Sequence, residues 1–170
     1  MRFFRSKQRK HWDQIAHGLY SAMVEQSRQP VFYAELGVPD TLEGRFDMLC
    51  LHISLLLRRL GSCELTQALV DVMFADMDVN LRESGVSDLR VGPKVRKMAE
   101  AFYGRLHAYE AALDGNDRDG LIQALLRNLY RAPDHAAASQ IATYVFGLAR
   151  QLEESSDQSL QGGHLNLERP

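Results

Sequence analysis

Leu42-Glu43-Gly44-Arg45-Phe46-Asp47-Met48-Leu49-Cys50-Leu51-His52-Ile53-Ser54-Leu55-Leu56-Leu57-Arg58-Arg59-Leu60 is the stretch that decides the fold. Phe46, Leu49, Cys50, Ile53, Leu56, Leu57 and Leu60 recur at intervals of three and four, the period of a helix with one buried stripe. Pro39-Asp40-Thr41-Leu42-Glu43 reads as its start, with Asp40 as cap and Glu43 three residues on, as in a capping box. Gly61-Ser62 ends it. The apolar run Met48 to Leu57, broken by His52 and Ser54, is shorter than the about 20 apolar residues that cross a bilayer.

The same period extends in both directions. Upstream, Trp12, Ile15, Ala16, Leu19, Tyr20, Met23 and Val24 predict a helix from about His11 to Ser27, ended by Gln29-Pro30. A short piece follows to Gly37, which suits a helix C-cap. Downstream, Leu65, Ala68, Leu69, Val72, Met73 and Met77 predict a helix over Glu64 to Asn80. Gly85 to Gly92 reads as a loop, and Pro93 as the first turn of the next helix. That helix uses Val95, Met98, Ala99, Phe102, Leu106, Tyr109 and Leu113. Leu121 to Tyr130 and Asp134 to Glu153 continue the pattern, separated by Pro133. No run alternates long enough to form a sheet, and no solenoid period occurs. The expectation is all-α: a single irregular bundle of about six helices. Residues 1–10 form a basic tail, 11–154 the helical domain and 155–170 a mobile C-terminal tail.

A chain of 170 residues can bury a full core without staples. Its net charge of −2 argues against bulk electrostatic binding of nucleic acid, and no DNA partner is expected. Cys50 and Cys63 have no metal spacing and read as reduced, buried or half-buried thiols in a reducing compartment. The start of the chain has basic residues but no long apolar segment behind them, unlike a secretory signal.

Enzyme signatures are missing. Asp76, Asp78 and Asn80 begin like a calcium loop, but Leu81 and Ser87 stand where that loop needs Gly and a bidentate Glu. The six histidines never pair at the helical spacing that holds zinc. No glycine-rich phosphate loop occurs. Neither metal nor cofactor is expected, and the chain is read as non-enzymatic.

Other residues suit a partner. Phe32, Tyr33, Met73, Phe74, Met77, Phe102 and Tyr103 supply adaptable apolar surface; Phe74 and Tyr103 sit just off the core stripes. Arg45, Asp47, Asp78, Arg82 and Arg105 either form a buried ionic network or rim a groove. Gly44 and Gly104 lie within helices, where Gly costs up to about 1 kcal/mol relative to Ala. Each serves close packing or access for a bound segment. Arg2, Phe3, Phe4, Arg5, Lys7, Arg9 and Lys10, with Lys94, Arg96 and Lys97 further on, either are simply solvated, the terminus as a disordered tail, or mix charge with aromatic surface as lipid- or ribosome-contacting segments do.

Three segments go beyond what a bundle needs: Phe32 to Asp47, Asp76 to Asp88, and Ala101-Phe102-Tyr103-Gly104-Arg105-Leu106. Together, in this order and from about Ile15 to Tyr144, they resemble the ubiquinol–cytochrome c chaperone family. The resemblance implies an assembly chaperone that binds newly made cytochrome b and supports assembly of the bc1 complex. It would do so by helix-in-groove contact. The candidate partner-binding residues are Tyr33, Arg45, Asp47, Phe74, Asp78, Arg82, Phe102, Tyr103 and Arg105. The resemblance also implies a small helper protein and contact with the ribosome or an anionic membrane surface. Lacking the long leader of an imported mitochondrial protein, the chain is expected in a bacterial cytoplasm, peripheral on the inner face of the inner membrane. The alternative is a small-molecule or catalytic cavity lined by Tyr33, Arg45, Asp47, His52, Asp78, Arg82, Tyr103 and Arg105. A ribosome- or RNA-associated module is a third possibility.

Overall fold

The computed structural model describes residues 2–170, with side chains from residue 9 onward. Its elements are α1 (Arg2–Ser27), α2 (Pro30–Ala34), α3 (Leu42–Leu60), α4 (Glu64–Glu83), α5 (Asp88–Asp114), α6 (Arg118–Leu125), α7 (Ala138–Glu154) and α8 (Asp157–Gln161). A π-helical turn, Leu126–Tyr130, extends α6. No strand occurs among the described residues, and the all-α expectation holds.

α3 is the axis of the bundle. α1, α5 and α7 pack around it, while α4 bridges α1 and α5, and α6 bridges α5 and α7. From Phe46 to Leu57 every residue of α3 is buried. The single stripe expected from the sequence is therefore too narrow: Met48, Leu51 and Leu55 fill the opposite side, as in a helix enclosed all round. The two polar interruptions are satisfied inside. Ser54 Oγ donates to the Cys50 carbonyl at 2.7 Å. His52 is fully buried, and its Nδ1 lies 2.8 Å from the Met48 carbonyl. A carbonyl only accepts, so Nδ1 carries the proton and Nε2 accepts from the Tyr144 hydroxyl 2.7 Å away.

Several boundaries differ from the sequence reading. α1 starts at Arg2 rather than His11, so backbone helix runs through most of the expected tail. The side chains of Arg2, Phe3, Phe4, Arg5 and Lys7 lie outside the described residues; Arg9 and Lys10 are exposed. Thr41, not Asp40, caps α3, its hydroxyl accepting from the Gly44 N–H. α5 begins at Asp88, which places Pro93 inside the helix. Proline there removes the bond to the Leu89 carbonyl, but Leu89 is 91% exposed and water can take its place. α7 begins at Ala138, after a loop through Pro133. Cys50 is buried and Cys63 exposed, both free.

The segment after residue 155, expected to be mobile, is docked. Arg59 holds it through the Ser155 carbonyl at 2.9 Å and Asp157 at 2.7 Å. Leu160 is buried, and Leu165 and Leu167 pack on the core. Gln26 Nε2 donates to the Glu168 carbonyl at 2.8 Å. The Glu168 N–H donates to Gln151 at 2.9 Å.

Candidate partner-binding site

The chain leaves α1 at Arg28, turns through Gln29-Pro30 and re-enters the bundle at α3. That turn sets the end of α1 against the start of α3 and the last turns of α4. The result is a continuous concave surface around Arg28. At its centre is an apolar pocket of about 170 Å³ floored by Phe46, Leu49, Met77 and Leu81, with Leu42 and Met98 at its lip. A cleft of about 420 Å³ opens beside it between Tyr33, Pro30 and Arg45. Another of about 680 Å³ runs past Tyr20, Asp76 and Asn80. Arg28 borders all three.

The first two distinctive sequence segments meet here, and Asp40, Arg45 and Asp76 stand at the rim of the hollow, with Asp78 and Arg82 further along α4. Arg45 Nε donates to Asp40 at 2.6 Å, both half-exposed. This bond holds the Asp40 carboxyl below the usual carboxylate range. The Tyr33 hydroxyl donates to the Ser27 carbonyl at 2.8 Å, and burial pushes it up. Arg82 pairs with Asp78 at 2.6 Å and with Asp88. Asp76 accepts from Tyr20 at 2.7 Å and from Asn80 at 3.0 Å. The residues that look like a calcium loop therefore lie on α4 with their carboxylates engaged internally.

A second group of charges lies under the surface. Asp47, 1% exposed, faces Arg105 at 2.7 Å and Arg131 at 2.6 Å. Burial raises its carboxyl pKa, and the two guanidiniums offset part of that rise. Arg105 Nε is buried without a hydrogen-bond partner among the described residues. Arg131 is half-exposed, but the Asp47–Arg105 pair is dry, and such a pair specifies geometry more than it adds stability. Arg131 reaches Asp47 from a left-handed backbone, φ 52°, which costs a non-glycine residue about 1–2 kcal/mol. The π-helical turn sets up this position. In the same loop Tyr130 donates to the Leu36 carbonyl at 2.8 Å and stacks on His135 at 3.8 Å. The His135 ring packs against Gly37, where a Cβ would come within 2.9 Å. Gly37 has φ 66°, and across it the Val38 N–H closes back on the Phe32 carbonyl at 2.9 Å; the C-cap of α2 is Glu35, so Gly37 forms the turn just past the helix end rather than the cap itself. Loop 126–137 thus clamps the strap that carries Tyr33.

The predicted residues separate accordingly. Tyr33 and Arg45 lie at the hollow, and Asp78 and Arg82 pair at the surface further along α4. Asp47 and Arg105 belong to the buried triad, so the network expected from the sequence is real but smaller, and its third member is Arg131. Phe102 is fully buried and cannot touch a partner; it bridges Phe74 at 5.9 Å and Tyr103 at 5.3 Å as an edge-to-face ladder. Tyr103, 45% exposed, opens on a different cleft, of about 700 Å³, beside Arg58 and Glu110. The alternative cavity is not formed: Tyr33 and Arg45 line one cleft, Tyr103 another, and Asp47 and His52 are interior. The two internal glycines also separate. A Cβ at Gly44 would stand 1.9 Å from the Pro39 carbonyl oxygen, whereas at Gly104 it would meet nothing within 4 Å. Close packing explains Gly44, though by the chain's own loop rather than another helix. It does not explain Gly104.

Sequence reasoning missed Arg28, Leu42, Met98 and Arg131. Arg28 had a signal, standing at the helix end just before Pro30. Arg131 had none, because its role depends on a backbone conformation that charge spacing does not encode.

The sequence profile of the family described as Ubiquinol-cytochrome C chaperone matches residues 34–166. The chain is 27% identical over 116 residues to ubiquinol-cytochrome-c reductase complex assembly factor 1 of Xenopus laevis, covering 65% of this chain and 58% of that one. It is 25% identical over 150 residues to the protein of that name in Drosophila melanogaster, covering 81% of this chain and 58% of that one. The chain thus spans little more than half the length of these relatives. A crystal structure of the Cbp3 homolog from Brucella abortus superposes with a TM-score of 0.84 at 39% identity, covering 98% of this chain and 95% of that one.

Proposed function

The chain belongs to the ubiquinol-cytochrome c chaperone family, and from that premise we propose that it is a non-enzymatic chaperone of bc1 complex assembly whose client is newly made cytochrome b. The observation that carries this reading is the hollow around Arg28. It has an apolar floor with a half-exposed leucine, Leu42, at its lip, and a rim of exposed arginines and carboxylates. An amphipathic helix docks into such a groove by two or three apolar anchors, and the charged rim sets its register. Met77 and Met98 supply unbranched, polarizable contacts that adapt to the client. Arg45, Arg28 and Tyr33 are the direct contacts; Asp47, Arg105 and Arg131 hold the walls. The basic start of α1, with Arg9 and Lys10 exposed, serves a ribosome or membrane contact, and a small helper protein completes the complex.

Affinity purification of the tagged protein from detergent-treated cells translating cytochrome b tests the reading. Cytochrome b co-purifies with the wild type and with Tyr103→Ala, and is lost with Arg45→Glu or Leu42→Asp. Absence of any bc1 subunit from the purified material, with normal bc1 content in a deletion strain, overturns it.

A further inference from the structure

The outward side of α5 is unlike the rest of the surface. At about 100° per residue, Arg96, Leu89, Pro93, Lys97 and Arg90 share the arc opposite Val91 and Phe102, the residues that bury the helix. Lys94 flanks that arc, and Tyr103 continues it about 20 Å further along the axis at 1.5 Å per residue. Arg90, Lys94, Arg96 and Lys97 are all exposed, and among the described residues none is held in an ion pair. Elsewhere Arg45 is paired with Asp40 and Arg82 with Asp78 and Asp88, while Arg28, Arg127 and Arg150 are exposed and outside any ion pair among the described residues but are scattered along the chain rather than gathered on one helix. Four free cations on one helix, with Glu100 as the acid among them, stand out on a chain of net charge −2.

Leu89 decides between the possible partners. It is 91% exposed, the most exposed large apolar side chain among the described residues, and Tyr103 at the other end is 45% exposed. A nucleic-acid backbone has no use for a protruding leucine. An interfacial membrane helix carries this pattern: cations for the headgroups, a leucine to enter the acyl boundary and a tyrosine at headgroup depth. No helix of the described residues is long and apolar enough to cross a membrane, so contact through this helix lies on the surface.

We propose that the outer arc of α5, from Leu89 to Tyr103, is a peripheral docking surface for an anionic lipid bilayer. This goes beyond the client-binding reading and does not require it. The two sites are neighbours, since Met98 on the inner side of α5 stands at the lip of the hollow. A protein lying on α5 presents that hollow at the bilayer surface.

Vesicle co-sedimentation of the full chain, without any client, tests this. The protein sediments with mixed phosphatidylcholine–phosphatidylglycerol vesicles, not with phosphatidylcholine alone, and salt weakens the binding. Lys94→Glu with Lys97→Glu reduces partitioning at least about tenfold, and Leu89→Asp also reduces it; unchanged far-UV circular dichroism and melting show both variants folded. Should the double variant bind as well as wild type, another surface such as the start of α1 carries the contact and the assignment falls. It falls equally if Leu89→Asp has no effect and the same lysines instead retain RNA. Because no client is present, these outcomes are separate from those of the cytochrome b purification.

Discussion

The chain uses arginine–aspartate pairs in two settings, and the contrast shows what each does. Asp47, in the interior, lies between Arg105, only 12% exposed, and Arg131, whose side chain is half in water. Asp40–Arg45 and Asp78–Arg82 lie at the surface with about half of each side chain, or a little less, in water. The distances are alike, near 2.6–2.7 Å. Asp47 and Arg105 are shielded from water while Arg131 is half-exposed, so the Asp47–Arg105 contact fixes α3 against α5 and Arg131 ties the loop after α6 to them from the outside. The surface pairs can open, and an incoming charged segment can replace either member. One set holds the helices around the hollow; of the other, Asp40–Arg45 stands at its rim and Asp78–Arg82 lies away from it.

The sharpest way to break this contrast is Asp47→Ala. It leaves Arg105 buried without a counter-charge, and stability falls by about 3–5 kcal/mol, read as a lower denaturation midpoint at unchanged slope. A loss under about 1 kcal/mol, within the range of exposed pairs, would erase the distinction.

A second interior polar group extends it to pH. Burial pushes His52 down to about 4 from its ordinary 6.5. The unfolded chain takes up the proton first as pH falls, so the contribution is present above 6.5 and is lost progressively toward 4. The shift corresponds to about 3 kcal/mol. Thermal melts of wild type and His52→Gln across this window should diverge by that amount, the variant being the less acid-sensitive. Parallel curves would place His52 in water.

The glycines sharpen the contrast at smaller scale. Gly44→Ala forces the Pro39 carbonyl aside and costs about 1–3 kcal/mol, while Gly104→Ala gains up to about 1 kcal/mol from helix propensity alone. If Gly104 serves access to a bound segment, that stabilised variant loses binding, which a melt and a pull-down on one preparation distinguish. Smallest in stability are Arg45→Ala and Arg82→Ala, whose melts stay close to wild type because exposed pairs contribute little. Arg45→Ala still weakens client capture.

Fold class and helix order were legible because the three-and-four spacing is dense from Ile15 to Leu152. The enclosure of α3 was not, since a stripe count cannot say whether Met48, Leu51 and Leu55 have a helix behind them; α7, ninety residues on, provides it. The start of α5 was misread because Pro93 and Gly92 look like a boundary, yet residues 88–92 are helical already. The candidate site was half legible. Tyr33 and Arg45 stand in segments whose composition is odd for a bundle, and they reach the hollow. Asp47 and Arg105 stand in the same segments and go inward, because residue type does not tell which side of a helix faces the core when all sides are apolar. Arg131 depends on a π-turn that no spacing announces.

A helix enclosed along its whole middle has no neutral positions. From Phe46 to Leu57, each substitution in α3 must be answered by a neighbour on α1, α5 or α7, so these four segments drift together. Relatives of this chain should therefore change in matched sets along that axis, while the outer faces of α4 and α5 vary singly.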